Sequence, residues 1–419
     1  MNAWALAVFW LLLGMAAIHA IAAVPFIWRL HHWRRPRLED ACCPKTAVIL
    51  CLRGSDPFLA ACLQGVLDQD YPCYDVRIVV DSPHDPAWKT VQEVLARSGA
   101  TNVQVRPLAD RRPTCSLKCS CILQAVSELD ATHEIMALID ADVVPHRTWL
   151  RELVAPLQDG RVAAATGNRW YMPVSPSWGS LVRWLWNAAA VVHMDWYRIP
   201  WGGTLAVKVE ALRKAHLTAR WDHALCEDTL LYGAFRPLGY RVARVPSLMM
   251  VNREQCSVAT FYPWVCRQLL TIRLHHPAWR LLAVHDLATS FALWSGPLAL
   301  IVAMAIGDGA AARWLLAGMG LQWGVLIVIL MGMEVGMRRM MAARGEPTVW
   351  FGLCGLARTV PAMVLTLAIY PAALLCALRV RETSWRGIGY QVEGPGQIRM
   401  KEYRPYSECP ASERRPESL

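Results

Sequence analysis

The sequence predicts an α/β domain with a mostly parallel, Rossmann-like sheet, set between N-terminal and C-terminal membrane helices. Three observations carry this expectation. Between about Lys45 and Arg280, short apolar runs alternate with amphipathic stretches, the pattern of βαβ units with helices on both sheet faces. Apolar stretches long enough to cross a bilayer flank that region. Apolar residues form 55% of the chain and Trp occurs 20 times, an excess over an ordinary soluble enzyme that membrane helices would explain.

The first apolar stretch covers about residues 3–28. No Lys or Arg precedes it, whereas Arg29, Arg34, Arg35 and Arg37 follow it. The positive-inside rule then puts the N-terminus outside and the next domain in the cytoplasm. Without a basic leading region, residues 1–28 read as an uncleaved anchor rather than a signal peptide. Residues 29–44 read as a basic juxtamembrane linker. The next domain is expected over residues 45–258, with interfacial helices at 259–280.

Inside that domain, residues 47–52 form a β-rich run, and residues 58–67 carry apolar side chains at helical spacing. Strands are expected at 76–80, 103–105 and 134–139, and helices at 91–96 and 116–129. Three more apolar stretches lie at about 281–306, 314–335 and 351–378. Arg338, Arg339 and Arg344 follow the second, so the first two form an out-and-back hairpin. The third is also followed by basic residues, and Arg358 and Pro361 interrupt it. A broken or re-entrant pair, an interfacial segment and a failure of the charge rule all remain open for it, so the 281–378 region holds two to four apolar helices. The 379–419 tail is expected in the cytoplasm, with its last dozen residues disordered.

The net charge of +10 comes from basic residues that flank apolar stretches. That arrangement suits an anionic lipid surface better than nucleic acid, which is not expected as a partner. The 14 cysteines are scattered among apolar neighbours, as reduced thiols are. Cys115, Cys119 and Cys121 lie close together, but no partner pair has zinc-finger spacing.

The chemistry centres on Asp140-Ala141-Asp142, directly after the apolar run at 135–139. A buried strand that stops at two carboxylates delivers charge to its C-terminal edge, where such sheets bind ligands. Two Asp one residue apart can share a hard divalent cation, Mg²⁺ or Mn²⁺, with the phosphate oxygens of a substrate. A solvated strand-end turn is the bland alternative. Asp81 also ends a strand, so three carboxylates are expected on one rim. Glu227 and Asp228 head an apolar helical run, where the helix N-terminal dipole stabilises acids. They are either an ordinary helix start or a general base that takes a proton from an attacking hydroxyl.

In order, these motifs resemble the inverting, membrane-bound family 2-type glycosyltransferases with a GT-A fold. Within that group the chain is most similar to the ceramide glucosyltransferase branch and its bacterial hopanoid-associated relatives. The resemblance runs from about Val48 to Leu274. It rests on Leu52-Arg53-Gly54-Ser55-Asp56-Pro57, Asp70-Tyr71-Pro72-Cys73-Tyr74-Asp75-Val76, Val79-Val80-Asp81 and Asp85-Pro86. Lys118, Asp140-Ala141-Asp142, Trp201-Gly202-Gly203-Thr204 and Glu227-Asp228 continue it. Trp385-Arg386-Gly387 with Tyr390 also looks like this branch, where that tail is cytoplasmic.

The resemblance implies a nucleotide-sugar donor, with UDP-glucose or a similar sugar the first candidate, and a lipid acceptor such as ceramide. Asp81 would bind uracil or ribose, and Asp140 with Asp142 would hold the sugar-nucleotide and its Mg²⁺ or Mn²⁺. Asp228 would be the base, beside Glu227. Lys118 would meet the nucleotide or pyrophosphate, unless it is a solvated helix lysine. Gly202 and Gly203 would let the backbone approach the sugar, unless they form a plain turn. His193 is either a satisfied core histidine or a substrate contact.

One motif departs from the family pattern. Where the family carries Q/R-x-x-R-W, this chain reads Trp264-Val265-Cys266-Arg267-Gln268. Arg267 survives to contact the diphosphate; Trp264 and Gln268 leave the acceptor side open. The resemblance implies a single displacement with inversion in a multi-pass protein whose catalytic domain faces the cytoplasm, with a bacterial inner membrane the expected setting. A processive polysaccharide synthase, a polyprenyl-phosphate glycosyltransferase and a non-catalytic nucleotide-sugar-binding scaffold remain the rival readings.

Overall fold

The computed structural model describes residues 3–54 and 56–409; most of the tail expected to be disordered lies outside these residues. The chain begins with the long helix α1 (Ala3–His31). The sheet domain then runs β1 (Thr46–Leu52), α2 (Leu59–Leu67), β2 (Tyr74–Val80), α3 (Pro86–Ser98), β3 (Val103–Pro107), α4 (Leu117–Ser127) and β4 (Ile135–Ile139). It continues α5 (Trp149–Val154), β5 (Val162–Tyr171), α6 (Trp178–Tyr197), β6 (Thr204–Lys208), α7 (Val209–Lys214), α8 (Leu217–Trp221), α9 (Leu231–Phe235) and β7 (Arg241–Asn252). Helices α10 (Val258–His275), α11 (Trp279–Ala305), α12 (Gly309–Arg344) and α13 (Gly352–Arg379) follow, then β8 (Glu382–Trp385), β9 (Ile388–Gly394) and β10 (Gln397–Glu402).

The main sheet has seven strands in the order β3-β2-β1-β4-β6-β5-β7. The β3-β2-β1-β4 half is parallel, as the βαβ pattern requires. β6 runs antiparallel to both β4 and β5, and β7 runs parallel to β5. Alternate side chains feed two cores. Ile49, Met136, Leu138 and Leu205 pack under α4, α8 and α9, while Val48, Leu50, Ile78 and Ala137 pack under α2, α3 and α5. The period-2 alternation of strand side chains thus places apolar layers on both faces. β6 and β5 lack the βαβ rhythm and β7 is long and partly polar, so the second half of the sheet was not visible as strands in the sequence.

Strand polarity decides where the chemistry gathers. β1, β2 and β4 end on one edge, with Leu52 paired to Val80. β5 and β7 end on that edge too, since each is separated from β4 by an even number of reversals. β6 instead starts there, and Thr204 pairs with Ile139.

α1, α11 and α12 form a bundle. Gly318 packs against Phe9 and Gly336 against Leu30, so α12 runs parallel to α1. Gly296 meets Leu12 and the His285 ring stacks near His19, so α11 runs the other way. α13 is one continuous helix despite Arg358, Pro361 and Pro371. A proline lacks one donor, but an apolar helix of 28 residues absorbs that loss when neighbours pack along it. Its first turns touch Pro176 and Arg358 reaches the Pro176 carbonyl; at its other end Arg273 donates to the carbonyls of Ala377 and Leu378 at 2.7 and 2.8 Å. One end therefore lies against the sheet domain and the other against α10. Among the described residues, four helices are long and apolar enough to cross a membrane: α1, α11, α12 and α13.

Before the last dozen residues, the tail forms a small sheet of its own. β8, β9 and β10 form an antiparallel sheet whose Ile388, Tyr390, Val392 and Ile398 join the core above α4. Alternating burial along a short polar strand hides this from composition.

Candidate active site

A single rim carries nearly all the acids singled out in the sequence. Asp140 follows β4, and the antiparallel pairing of β6 brings Gly202 and Gly203 beside it. Lys118, in the first turn of α4, reaches Asp140 Oδ1 at 2.6 Å and Glu227 Oε1 at 2.7 Å. Burial opposes the Lys118 charge, but these two carboxylates hold its pKa well above the ordinary lysine value. A solvated lysine is therefore excluded.

Glu227 and Asp228 do not open a helix. α9 begins only at Leu231, and the two acids occupy the turn before it. The helix dipole gives way to direct donors: Asp228 Oδ2 accepts from the Gly202 N–H at 2.7 Å and Oδ1 from the Thr229 N–H at 2.6 Å. Burial raises the Glu227 carboxyl despite the pull of Lys118.

The two glycines are required by these acids. A Cβ on Gly202 would lie 1.9 Å from Glu227 Oε1, and one on Gly203 would lie 2.2 Å from the Trp201 ring and 2.8 Å from Asp140 Oδ2. No side chain fits where two carboxylates press on the backbone.

Asp142 accepts from Asn252 Nδ2 at 3.0 Å, but its Oδ1 is buried and unpartnered. Burial, then the neighbouring Asp140, Asp56 and Glu254, push its pKa up to about 7. A buried carboxylate oxygen with no donor, among other acids, is the donor set a hard cation takes. The residues present therefore fit Mg²⁺ or Mn²⁺.

Facing the acids are guanidiniums. Arg53, Arg169, Arg267 and Arg386 line the same cavity. Arg267 donates to the Ser384 carbonyl at 3.2 Å and lies over the Trp385 ring. Burial, then Arg386 and Arg169, lower its pKa to about 10. Arg386, at φ +49°, reaches Asp56 at 3.2 Å. Converging cations that weaken one another form a seat for a polyanion. Arg169 carried no signal in the sequence; it reaches the rim because β5 ends there. Arg386 was legible only through the Trp-Arg-Gly tail.

Trp264 and Gln268 line the cavity beside Arg267. Trp264 stacks edge-on with Tyr171 and Trp186 and lies 4.8 Å from the Arg169 guanidinium, while Gln268 accepts from Arg169 at 3.3 Å. The altered motif is thus spatially complete in a different way: Trp385 from the tail covers Arg267.

Asp81 ends β2 as expected but does not face the cavity. It is fully buried, bound by Arg53, by Arg111 at 3.1 Å and by the Tyr403 hydroxyl at 3.2 Å. The tail supplies Tyr403, a contact that no local pattern in the sequence marks. His193 lies at the far end of the cavity, 3.4 Å from Asp286. The cysteines with described side chains are free, and Cys115, Cys119 and Cys121 are buried.

A second cavity adjoins this one. Trp186, Ala190, His193 and Tyr370 line both; the second is mainly apolar and lies among α1, α6, α11, α12 and α13, and each is about 210 Å³.

The fold has solved counterparts. The mannosyltransferase PcManGT from Pyrobaculum calidifontis, in complex with GDP-Man and Mn²⁺, is similar at a TM-score of 0.52 and 21% identity, covering 78% of this chain and 98% of that one. Glucosyl-3-phosphoglycerate synthase from Mycobacterium tuberculosis, in complex with Mn²⁺, UDP-Glc and phosphoglyceric acid, matches at a TM-score of 0.40 and 15% identity, over 57% and 84% of the two chains. No curated protein matches the sequence significantly. The sheet order and the first of these likenesses establish a GT-A fold. Residues 14–398, most of the sequence, match Glycosyl transferase family 21, and the chain belongs to that family.

Proposed function

We propose that this protein transfers a sugar from a nucleotide diphosphate sugar to a hydroxyl of a membrane lipid, with inversion at the anomeric carbon. The observation that carries the reading is the adjacency of two cavities that share Trp186, Ala190, His193 and Tyr370: one rimmed by acids and guanidiniums, the other apolar and walled by membrane-type helices. A polar donor and an apolar acceptor need such a junction.

Arg267, Arg386 and Arg169 receive the diphosphate and stabilise the charge that develops on it as the sugar departs. Asp140 and Asp142 hold Mg²⁺ or Mn²⁺, which supplies further neutralisation of the diphosphate when bound. Lys118 bridges Asp140 and Glu227 and holds both carboxylates in place. Asp228 takes the proton of the acceptor hydroxyl; its two backbone donors fix its orientation. Asp81 acts indirectly, by anchoring Arg53 and the tail across the nucleoside side.

For topology, α1, α11 and α12 cross the bilayer, with the sheet domain in the cytoplasm. α13 lies along the cytoplasmic face, because one end touches the sheet domain, the other touches α10, and the tail after it packs on the site. That arrangement satisfies the charge rule for every basic cluster. UDP-glucose and ceramide are the first donor and acceptor to test, in a bacterial inner membrane.

The test uses membranes containing the full chain, a panel of nucleotide sugars and mass spectrometry of extracted lipids. One mono-glycosylated lipid, absent with Asp228→Asn, supports the reading. Long polymers or sugar phosphates in place of it, or undiminished transfer by Asp228→Asn, would overturn it.

A further inference from the structure

Where the two cavities meet, a polar cluster sits among apolar helices. His193 comes from α6 of the sheet domain, and His285 and Asp286 come from the first turns of α11. Their candidate ligand atoms all lie within 4.8 Å of one another. An ionisable side chain in an apolar, membrane-type helix is costly and is retained for a specific partner. Asp286 is 2% exposed.

The separations favour an ion over direct hydrogen bonding. His193 Nδ1 and Asp286 Oδ1 are 3.4 Å apart. A charge-assisted hydrogen bond would draw them to about 2.7–2.9 Å. Two ligands each about 2.0–2.1 Å from one tetrahedral ion lie about 3.4 Å apart. His285 Nε2 is buried and has no partner, while its Nδ1 meets the Tyr197 hydroxyl at 2.9 Å. The Tyr370 hydroxyl donates to the other oxygen of Asp286. Tyrosines thus fix one atom of each α11 residue, leaving His285 Nε2 without a partner and Asp286 Oδ1 turned to His193, the usual support around metal ligands. His19 of α1 lies near, its ring 6.4 Å from that of His285 and its Nδ1 3.1 Å from the Gln322 amide.

We propose that His193, His285 and Asp286 form a site for one borderline divalent metal ion, best suited to Zn²⁺, distinct from Asp140 and Asp142. Two imidazoles and one carboxylate are a zinc-type donor set, unlike the all-oxygen set at Asp142. The ion ties α6 of the sheet domain to α11 of the bundle. His193 lines both cavities, and His285 and Asp286 line the apolar one.

Elemental analysis of the full-length protein, purified in detergent and exchanged into metal-free buffer, tests this without substrate, so the result is independent of the transfer reaction. About one zinc per chain is expected. It is retained in the Asp140→Asn/Asp142→Asn double variant and lost in His285→Ala and in His193→Ala. Should those variants fold poorly, wild-type protein loaded with Co²⁺ reports through the visible bands of a His-ligated tetrahedral ion, and a zinc chelator lowers its melting temperature by several degrees. Zinc-free wild-type protein that takes up no Co²⁺, or zinc that persists in well-folded His285→Ala, or zinc lost with Asp140 and Asp142, overturns the site. In the first case the cluster meets the acceptor head directly.

Discussion

The two adjoining cavities are built by opposite means. At the sheet end, charge is dense and almost every group is paired: Lys118 with Asp140 and Glu227, Arg386 with Asp56, Asp228 with two backbone N–H groups. At the membrane end the walls are apolar and one small cluster carries the polarity. The sheet end is preorganised, because strand termini and a glycine pair fix each carboxylate. The membrane end is assembled from helices far apart in sequence, so its shape depends on how the bundle packs against α6, α10 and α13. Donor chemistry should therefore respond to single charged side chains, and acceptor selectivity to packing.

The sharpest way to break this contrast is Asp228→Asn. We expect transfer to fall by about 10²–10⁴-fold while nucleotide-sugar affinity changes little, measured by lipid product formation beside calorimetric binding. Removing divalent metal with a chelator should suppress transfer by about a hundredfold or more, with recovery on adding Mn²⁺ or Mg²⁺. Activity that survives full chelation would mean that the buried, unpaired Asp142 oxygen serves some other partner. Arg267→Ala should weaken nucleoside diphosphate binding by about 10–100-fold, equivalent to about 1.5–3 kcal/mol for a hydrogen bond to a charged group. An unchanged affinity would shift the polyanion seat to Arg386 and Arg169. Gly202→Ala should cost about 1–3 kcal/mol and most of the activity, since its Cβ meets Glu227 Oε1; thermal unfolding and transfer assays read both. The smallest effect belongs to Tyr403→Phe. It removes one hydrogen bond to Asp81, worth about 0.5–1.5 kcal/mol, and should raise the donor KM only severalfold.

Much of the sheet end was legible. The apolar runs before Asp81 and Asp140 mark parallel strands, because a strand buried on both faces reads as an unbroken apolar segment. Lys118, Gly202, Gly203 and the Glu227-Asp228 pair were found through the resemblance of their order to a family, and all of them line or support one cavity. The physical reasons needed coordinates: the glycines make room for carboxylates, and the acids sit in a turn rather than on a helix. Arg169 was invisible, since its position depends on β5 ending on the same edge as β4, two reversals away. The small sheet of the tail was not anticipated, because three short, half-polar strands bury only alternate residues, a pattern that composition averages away.

The sequence by itself determined the class of the protein: membrane helices around an α/β domain, carboxylates at strand ends, and a conserved type of chemistry implied by their order. These are local properties, written in runs of apolar residues and in the residues that stop them. Tertiary structure decided what no local pattern encodes. It set which strands reverse, so that Arg169 joins the acids, and it folded the tail over Arg53 and Asp81. It laid α13 against the sheet domain at one end and α10 at the other, and it brought His193 to His285 and Asp286 across about ninety residues. Such placements follow from packing between distant segments, and distance along the chain carries no record of them.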